Sequence, residues 1–250
     1  MFGSLKKYLN LGVAYQKAYD FLCGTHPNCY PWHFQWHFTK DTHRWQKNAM
    51  KDLEGRVLDI GCGTKPYKKW LDFSKVSEYV GVDVVESKEV DILIVPLEKW
   101  PLEDASFDCI MTAQVLEHVE DLKDTLGQIK RVLKPGGRLL VTVPFLYPVH
   151  GVPFDFRRFT TYGVKEMFES DYEVLEVCAI GRLGSTLALL LLTGIENNLN
   201  HNFFTRFLKG IFLPVWLPFC FLVNVLCQII NYIDVQGTHY CNVGLLAKRK

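Results

Sequence analysis

Val57-Leu58-Asp59-Ile60-Gly61-Cys62-Gly63-Thr64, answered by Tyr79-Val80-Gly81-Val82-Asp83, is the pair of segments on which the fold turns. In the first, an apolar strand runs into a glycine turn; in the second, a short apolar strand ends on a carboxylate. This is the layout of a βαβ unit that binds a nucleoside. Gly61 and Gly63 let the backbone turn tightly and approach a ligand with no Cβ in the way. Asp83, at the tip of its strand, can accept hydrogen bonds from two ribose hydroxyls. Asp59 narrows the ligand further. A carboxylate fixed beside the turn repels a pyrophosphate and attracts an ammonium group.

Outward from this unit, residues 54 to about 180 alternate strand-like and helix-like segments with short turns, the pattern of a parallel sheet covered by helices. Strands are expected at Arg56–Ile60, Tyr79–Val82, Ile92–Val95, Phe107–Thr112, Arg138–Val143 and Glu173–Ile180, and a last one at His239–Ala247. Helices are expected at Tyr67–Phe73 and Leu122–Leu133. The second carries Leu122, Leu126, Ile129 and Leu133 on one face and stops at Lys134-Pro135-Gly136-Gly137. The 250 residues are 48% hydrophobic, 14% aromatic and 22% charged, enough to build a packed core. A net charge of +1 carries no polybasic footprint, so no nucleic-acid partner is expected. Eight cysteines without regular pairing read as reduced thiols in a cytoplasmic setting. The stretch Met1-Phe2-Gly3-Ser4-Leu5-Lys6-Lys7-Tyr8 lacks the apolar run and cleavage site of a secretory signal.

Five motifs, Asp59-Ile60-Gly61-Cys62-Gly63-Thr64, Asp83, Ser106-Phe107-Asp108-Cys109-Ile110, Val115-Leu116-Glu117-His118-Val119 and Leu133-Lys134-Pro135-Gly136-Gly137, resemble in order and spacing those of class I S-adenosylmethionine-dependent methyltransferases. The resemblance covers residues 54 to 180 and is of the small-molecule and glycan-pathway type. It implies an α/β fold: a Rossmann-like, doubly wound, seven-stranded and mostly parallel sheet. It also implies S-adenosyl-L-methionine as cofactor, whose ribose and cationic tail suit Asp83 and Asp59. In the family's pattern Asp59, Gly61, Cys62 and Gly63 line the methionine part, Asp83 holds the ribose, Val84 and Leu97 flank the adenine, and Ala113 and Gln114 run along the opposite edge. Two positions depart from that pattern: Lys65 stands where a third glycine is common, followed by Pro66, and Val95-Pro96-Leu97 offers no carboxylate to the adenine. Asp108 is read as a structural residue at a strand edge.

Ligands of open α/β sheets bind beyond the carboxyl ends of the strands. The loop after the fifth strand, Pro144 to Thr160, is dense in aromatics, prolines and ionisable groups and is where an acceptor is expected. His150 is the candidate general base, with His118 a second, because histidine titrates near neutrality. Asp155 would orient His150 or pair with Arg158. Tyr147, Arg157 and Arg158 are candidates for gripping the substrate. The segment Cys23 to His37 holds Cys23, His26, Cys29, His33 and His37, but in no closed zinc spacing, so no metal is expected. It reads instead as a lid in which Trp32, Phe34, Trp36 and Trp45 exclude water and His33 or His37 reaches the site.

The organisation expected is therefore an aromatic N-terminal helical segment (1–53), the cofactor core (54–180), an apolar helical insertion (181–236), and the last strand with a basic tail (237–250). Ile211–Ile230 has no charged side chain, but Pro214 and Pro218 interrupt it and Asn224 and Gln228 add polarity. A chain that must return to the same sheet favours a monotopic, peripheral contact at the cytoplasmic membrane face, with Arg206 and Lys209 at the headgroups. A helical cap or a homodimer interface is the other use of such a face. The function expected is methyl transfer to a small-molecule, glycan or lipid-linked acceptor. A catalytically silent, membrane-associated scaffold is the alternative, and an NAD-linked oxidoreductase is disfavoured by Asp59.

Overall fold

The computed structural model describes residues 15–199 and 203–250. The readings for Met1–Tyr8 and for the Arg206 side chain lie outside the described residues. Two compact units emerge, Met1–Thr42 with Gly181–Tyr240, and His43–Ile180 with Cys241–Lys250.

The second unit is built on one sheet of seven strands: β1 (Gly55–Ile60), β2 (Val76–Asp83), β3 (Ile92–Leu93), β4 (Phe107–Ala113), β5 (Leu133–Pro144), β6 (Tyr172–Ile180) and β7 (Asn242–Arg249). Their order is β3-β2-β1-β4-β5-β7-β6. The first five run parallel, and β7 enters antiparallel between β5 and β6. The inner strands are buried on both faces, so they read as continuous apolar runs. Val57, Leu58, Ile110, Met111, Leu139 and Leu140 are fully covered. The chain leaves β1 in opposite directions toward β2 and β4, which creates a crevice at the carboxyl ends of these strands. Registers Ile60↔Val82 and Ile60↔Thr112 align those ends.

Helix α1 (Trp36–Ala49) leads into this unit, and Ala49, Met50 and Leu53 pack with Val57, Leu71 and Met111. Helix α2 (Leu122–Val132) is capped by Asp121, whose carboxylate accepts from the Asp124 N–H, and α3 (Thr161–Glu169) by the Thr160 hydroxyl. The helix expected at Tyr67–Phe73 shrinks to a single 3₁₀ turn, Lys68–Trp70. Leu71 goes extended immediately after it to join the core, which leaves no length for a second turn. Lys134-Pro135-Gly136-Gly137 is not a free turn either. Strand β5 begins at Leu133, directly after α2, and absorbs it.

The first unit combines a helical stretch at residues 15–23 with α4 (Leu183–Leu199) and α5 (Phe203–Ile233). Its core joins Tyr19, Cys23, Leu192 and Trp216, with Trp32 and Phe34 packed against it. Gly184 sets how closely α4 lies on α5, since a Cβ there would meet the Cys227 carbonyl oxygen at 1.8 Å. Pro214 and Pro218 do not interrupt α5, which runs through both as one helix of 31 residues. Asn224 and Gln228 are used inward. The Asn224 amide donates to the Pro31 and His33 carbonyls, and Gln228 accepts from Lys40. By length and composition Leu208–Ile233 could cross a membrane, and most of its apolar surface is uncovered.

Candidate active site

The glycine turn after β1 is held from both sides. The Gly61 and Cys62 N–H groups donate to the Val82 carbonyl at 2.9 and 3.1 Å. Gly61 (φ +68°) has no room for a side chain, since a Cβ would stand 2.3 Å from Val115 Cγ2. Gly63 (φ +50°) faces open space, with nothing within 4 Å of where its Cβ would be. Lys65, at the third-glycine position, adopts the left-handed conformation without being glycine (φ +53°). Its ammonium is tied to Asp91, which also accepts the Gly81 N–H at 2.7 Å. Asp91 thus staples the turn to β2, a role that no local motif signalled.

Asp83 accepts the Gly63 N–H through Oδ2 at 2.9 Å and the Val85 N–H through Oδ1 at 3.0 Å. Each carboxylate oxygen keeps a lone pair for a hydroxyl donor. Asp59 is buried, and that burial pushes its carboxyl up to about 7 against the opposing pull of the Tyr79 hydroxyl and Lys65. Tyr79 donates directly to it. Burial also pushes the Cys62 thiol up to about 12, so it stays protonated. Val84 and Leu97 are exposed, Leu97 at φ +65°. Past β4, Ala113 and Gln114 are half-buried, and Gln114 (φ +58°) carries a buried amide nitrogen with no hydrogen-bond partner. Open space at Gly63, free lone pairs on Asp83, an unused donor on Gln114 and a buried carboxyl on Asp59 fit a nucleoside with a cationic tail.

A second cluster follows β4 and β5. The turn Leu116–His118 and the loop 145–160 are stitched together by Phe156 N–H to Glu117 carbonyl (2.9 Å) and by Arg157 to the Val119 and Glu120 carbonyls. The stitching brings the His118 and His150 rings edge to face, centroids 4.7 Å apart, with Tyr147 4.9 Å from His150. His118 Nδ1 faces the Phe154 carbonyl, and His150 Nδ1 faces the Pro148 carbonyl (3.2 Å) and Asp155 (3.3 Å). A carbonyl only accepts, so both rings carry their proton on Nδ1 and present an Nε2 lone pair. Burial lowers the His150 pKa, outweighing Asp155, and keeps the ring neutral at neutral pH. Glu117 is fully buried, neither of its oxygens has a hydrogen-bond partner, and burial pushes it up to about 7.

Residues 58–141 match the family model described as a methyltransferase domain. Over these residues the chain carries a methyltransferase domain. Among curated proteins, a ubiquinone/menaquinone biosynthesis C-methyltransferase of Pseudomonas fluorescens is 36% identical over 121 residues, 40% of this chain and 47% of that protein. A probable S-adenosylmethionine-dependent methyltransferase of Mycolicibacterium smegmatis is 35% identical over 109 residues, 40% of this chain and 42% of that one. The chain thus spans less than half the length of these relatives. Geranyl diphosphate methyltransferase in complex with S-adenosylmethionine superposes with a TM-score of 0.53 at 15% identity, covering 86% of this chain and 87% of that one, and shares the fold.

Several expected roles need correction in this methyltransferase core. Arg157 and Arg158 spend their donors internally. Arg158 grips Asp155 with two parallel bonds (2.5 and 2.7 Å) and reaches the Tyr147 and Pro148 carbonyls, while Arg157 caps the turn after β4. Asp155 in turn accepts the His150 N–H at 2.8 Å, so the pair shapes the loop under the histidine. Asp108, by contrast, is structural as expected, accepting from the Arg56 N–H and from Lys134. His33 and His37 are buried inside the helical unit, His37 between Asn224 and Ser185, so their imidazoles are committed there. Trp45 belongs to the sheet unit, where it donates to Glu176. Glu117 and Tyr79 complete the site without having been chosen from sequence. Glu117 adjoins His118 in its motif, which is the available signal; Tyr79 stands in the second decisive segment, but nothing in its spacing points its hydroxyl at Asp59.

Proposed function

We propose that this chain transfers the methyl group of S-adenosylmethionine to an acceptor hydroxyl that enters before Glu117, His118 and His150. The bound cofactor supplies an electrophilic methyl group on a sulfonium. Asp83 binds the ribose, Asp59 pairs with the amino-acid tail, and Gln114 gives its unused amide donor to the opposite edge. The acceptor end aligns and activates the nucleophile, with Asp155 holding His150 and the Phe154 carbonyl holding His118 in the tautomers that leave Nε2 open. The observation that carries this reading is the open cradle at Gly63 facing the Asp83 carboxylate.

The acceptor is a small-molecule, glycan or lipid-linked compound met at a membrane face, a reading supported by the uncovered apolar side of α5. A silent scaffold has no use for a buried, unpartnered glutamate beside two oriented histidines. Calorimetric titration with S-adenosylmethionine and its demethylated product tests the site. Asp83→Ala should weaken both at least tenfold, since it removes two charge-assisted hydrogen bonds. Unchanged affinity in that variant overturns the assignment.

A further inference from the structure

We infer that Glu117, His118 and His150 form a site for one divalent transition-metal ion, which binds the oxygen atoms of the methyl acceptor. One ligand atom from each residue lies within 4.8 Å of the others. Bonds of about 2.1 Å to an ion bring such atoms to about 3.0–3.5 Å, an approach of at most about 1.3–1.8 Å that ring and carboxylate rotations supply. Three further observations point the same way.

Glu117 is fully buried with both oxygens unpartnered, and its Oε1 lies 3.8 Å from His118 Nε2. An apolar residue would fill that space at no desolvation cost, so a buried carboxylate here calls for a cation. Both histidines give their Nδ1 side to fixed oxygen acceptors, the Phe154 carbonyl for His118 and the Pro148 carbonyl with Asp155 for His150. Metal-binding histidines are oriented in this way, with the second ring nitrogen held by a carbonyl or carboxylate so that the ligating lone pair points inward. Finally, the histidines are partly exposed while the glutamate is buried, so the cluster opens to solvent on the histidine side.

Two imidazoles and one carboxylate suit zinc, manganese, iron or cobalt in the divalent state and leave coordination positions open. Two adjacent acceptor oxygens fill those positions, which names the substrate class as a vicinal diol, catechol or hydroxy-carbonyl compound. On binding, one acceptor O–H loses its proton to solvent. Its oxygen then forms the bond to the methyl carbon as the carbon–sulfur bond breaks, and that electron pair remains on sulfur. The substrate class rests on the methyl-transfer reading, whereas the ion site does not.

The test is a titration of Co²⁺ into the chelator-stripped full chain, followed by visible absorption and calorimetry, with S-adenosylmethionine binding measured on the same samples. One equivalent should bind. Glu117→Gln and His118→Gln should each weaken it more than tenfold, and Asp155→Asn, which acts through His150, by about tenfold. In the unaltered chain, one equivalent of Co²⁺ should shift or broaden the ring signals of two of the eight histidines, His118 and His150, in the NMR spectrum. That readout needs no variant to fold. Absence of binding, wild-type affinity in a folded Glu117→Gln, or perturbation of other histidines overturns the ion site. No ion uptake by a chain that binds S-adenosylmethionine overturns this inference and leaves methyl transfer standing. Ion uptake at these residues by a chain that ignores the cofactor sustains the site and overturns the methyl-transfer reading.

Discussion

Lowering the pH from 7 to 5.5 should weaken S-adenosylmethionine binding about sixteenfold, and Asp59 should be the cause. Its carboxyl lies buried in β1 and titrates at about 7, so in the free protein at pH 5.5 it is almost wholly neutral. Pairing with the ammonium of the cofactor's tail requires the ionised form, so binding below pH 7 must expel a proton. The apparent dissociation constant then scales as one plus the ratio of protonated to ionised Asp59. That factor is about 33 at pH 5.5 and about 2 at pH 7, a difference of about 1.6 kcal/mol. The cofactor's own amino group stays protonated across this window. Stability of the free protein moves the opposite way. The folded pKa lies above the ordinary 3.8, so the stabilisation is full below pH 3.8 and is lost as pH rises through about 7. The assay is calorimetry at half-unit pH steps with S-adenosylmethionine and with 5′-methylthioadenosine, which lacks the amino-acid tail. The tailed ligand should show the slope and the tail-less one should not. Asp59→Asn should flatten the profile at reduced affinity. A flat profile for the wild type, or the same slope for both ligands, refutes the pairing.

The other predictions follow from single contacts. Gly61→Ala should lower stability by about 2–3 kcal/mol in urea unfolding, because its Cβ strikes Val115 at 2.3 Å and φ is +68°; an unchanged midpoint contradicts this. The Arg158 guanidinium holds the Asp155 carboxyl well below the usual carboxylate range, so the pair stabilises the fold above about pH 4 and fails as pH falls through the lowered value. Arg158→Met should therefore raise the midpoint of acid unfolding followed by circular dichroism, and equal midpoints refute the role. Phe212→Asp with Leu222→Asp, both exposed on α5, should cut sedimentation with anionic lipid vesicles at least tenfold, whereas undiminished binding removes the membrane contact.

The cofactor end was legible because its signals are local. A glycine turn next to Asp59, and a carboxylate ending the second strand, are contiguous in the chain, and burial on both faces of a parallel sheet keeps the strands uniformly apolar. The acceptor end was half legible. His118 and His150 were chosen, but 32 positions separate them, and what joins them is the network of Phe156, Arg157 and Gly151 folding one loop onto the other. Arg157 and Arg158 misled for the same reason, since their charge suggested a substrate while their partners proved to be backbone carbonyls and Asp155.

By itself, the sequence determined the class of fold, the glycine turn and the two carboxylates around it, because each depends on residue type at short spacing. The tertiary structure decided that β7 enters between β5 and β6, that Asp91 and Tyr79 brace the turn, and that Pro214 and Pro218 stay inside one helix. It also decided that Glu117 is buried without a partner between two oriented histidines. Periodicity and propensity act over a few residues, whereas desolvation and hydrogen-bond partnership depend on which distant segments close around a group.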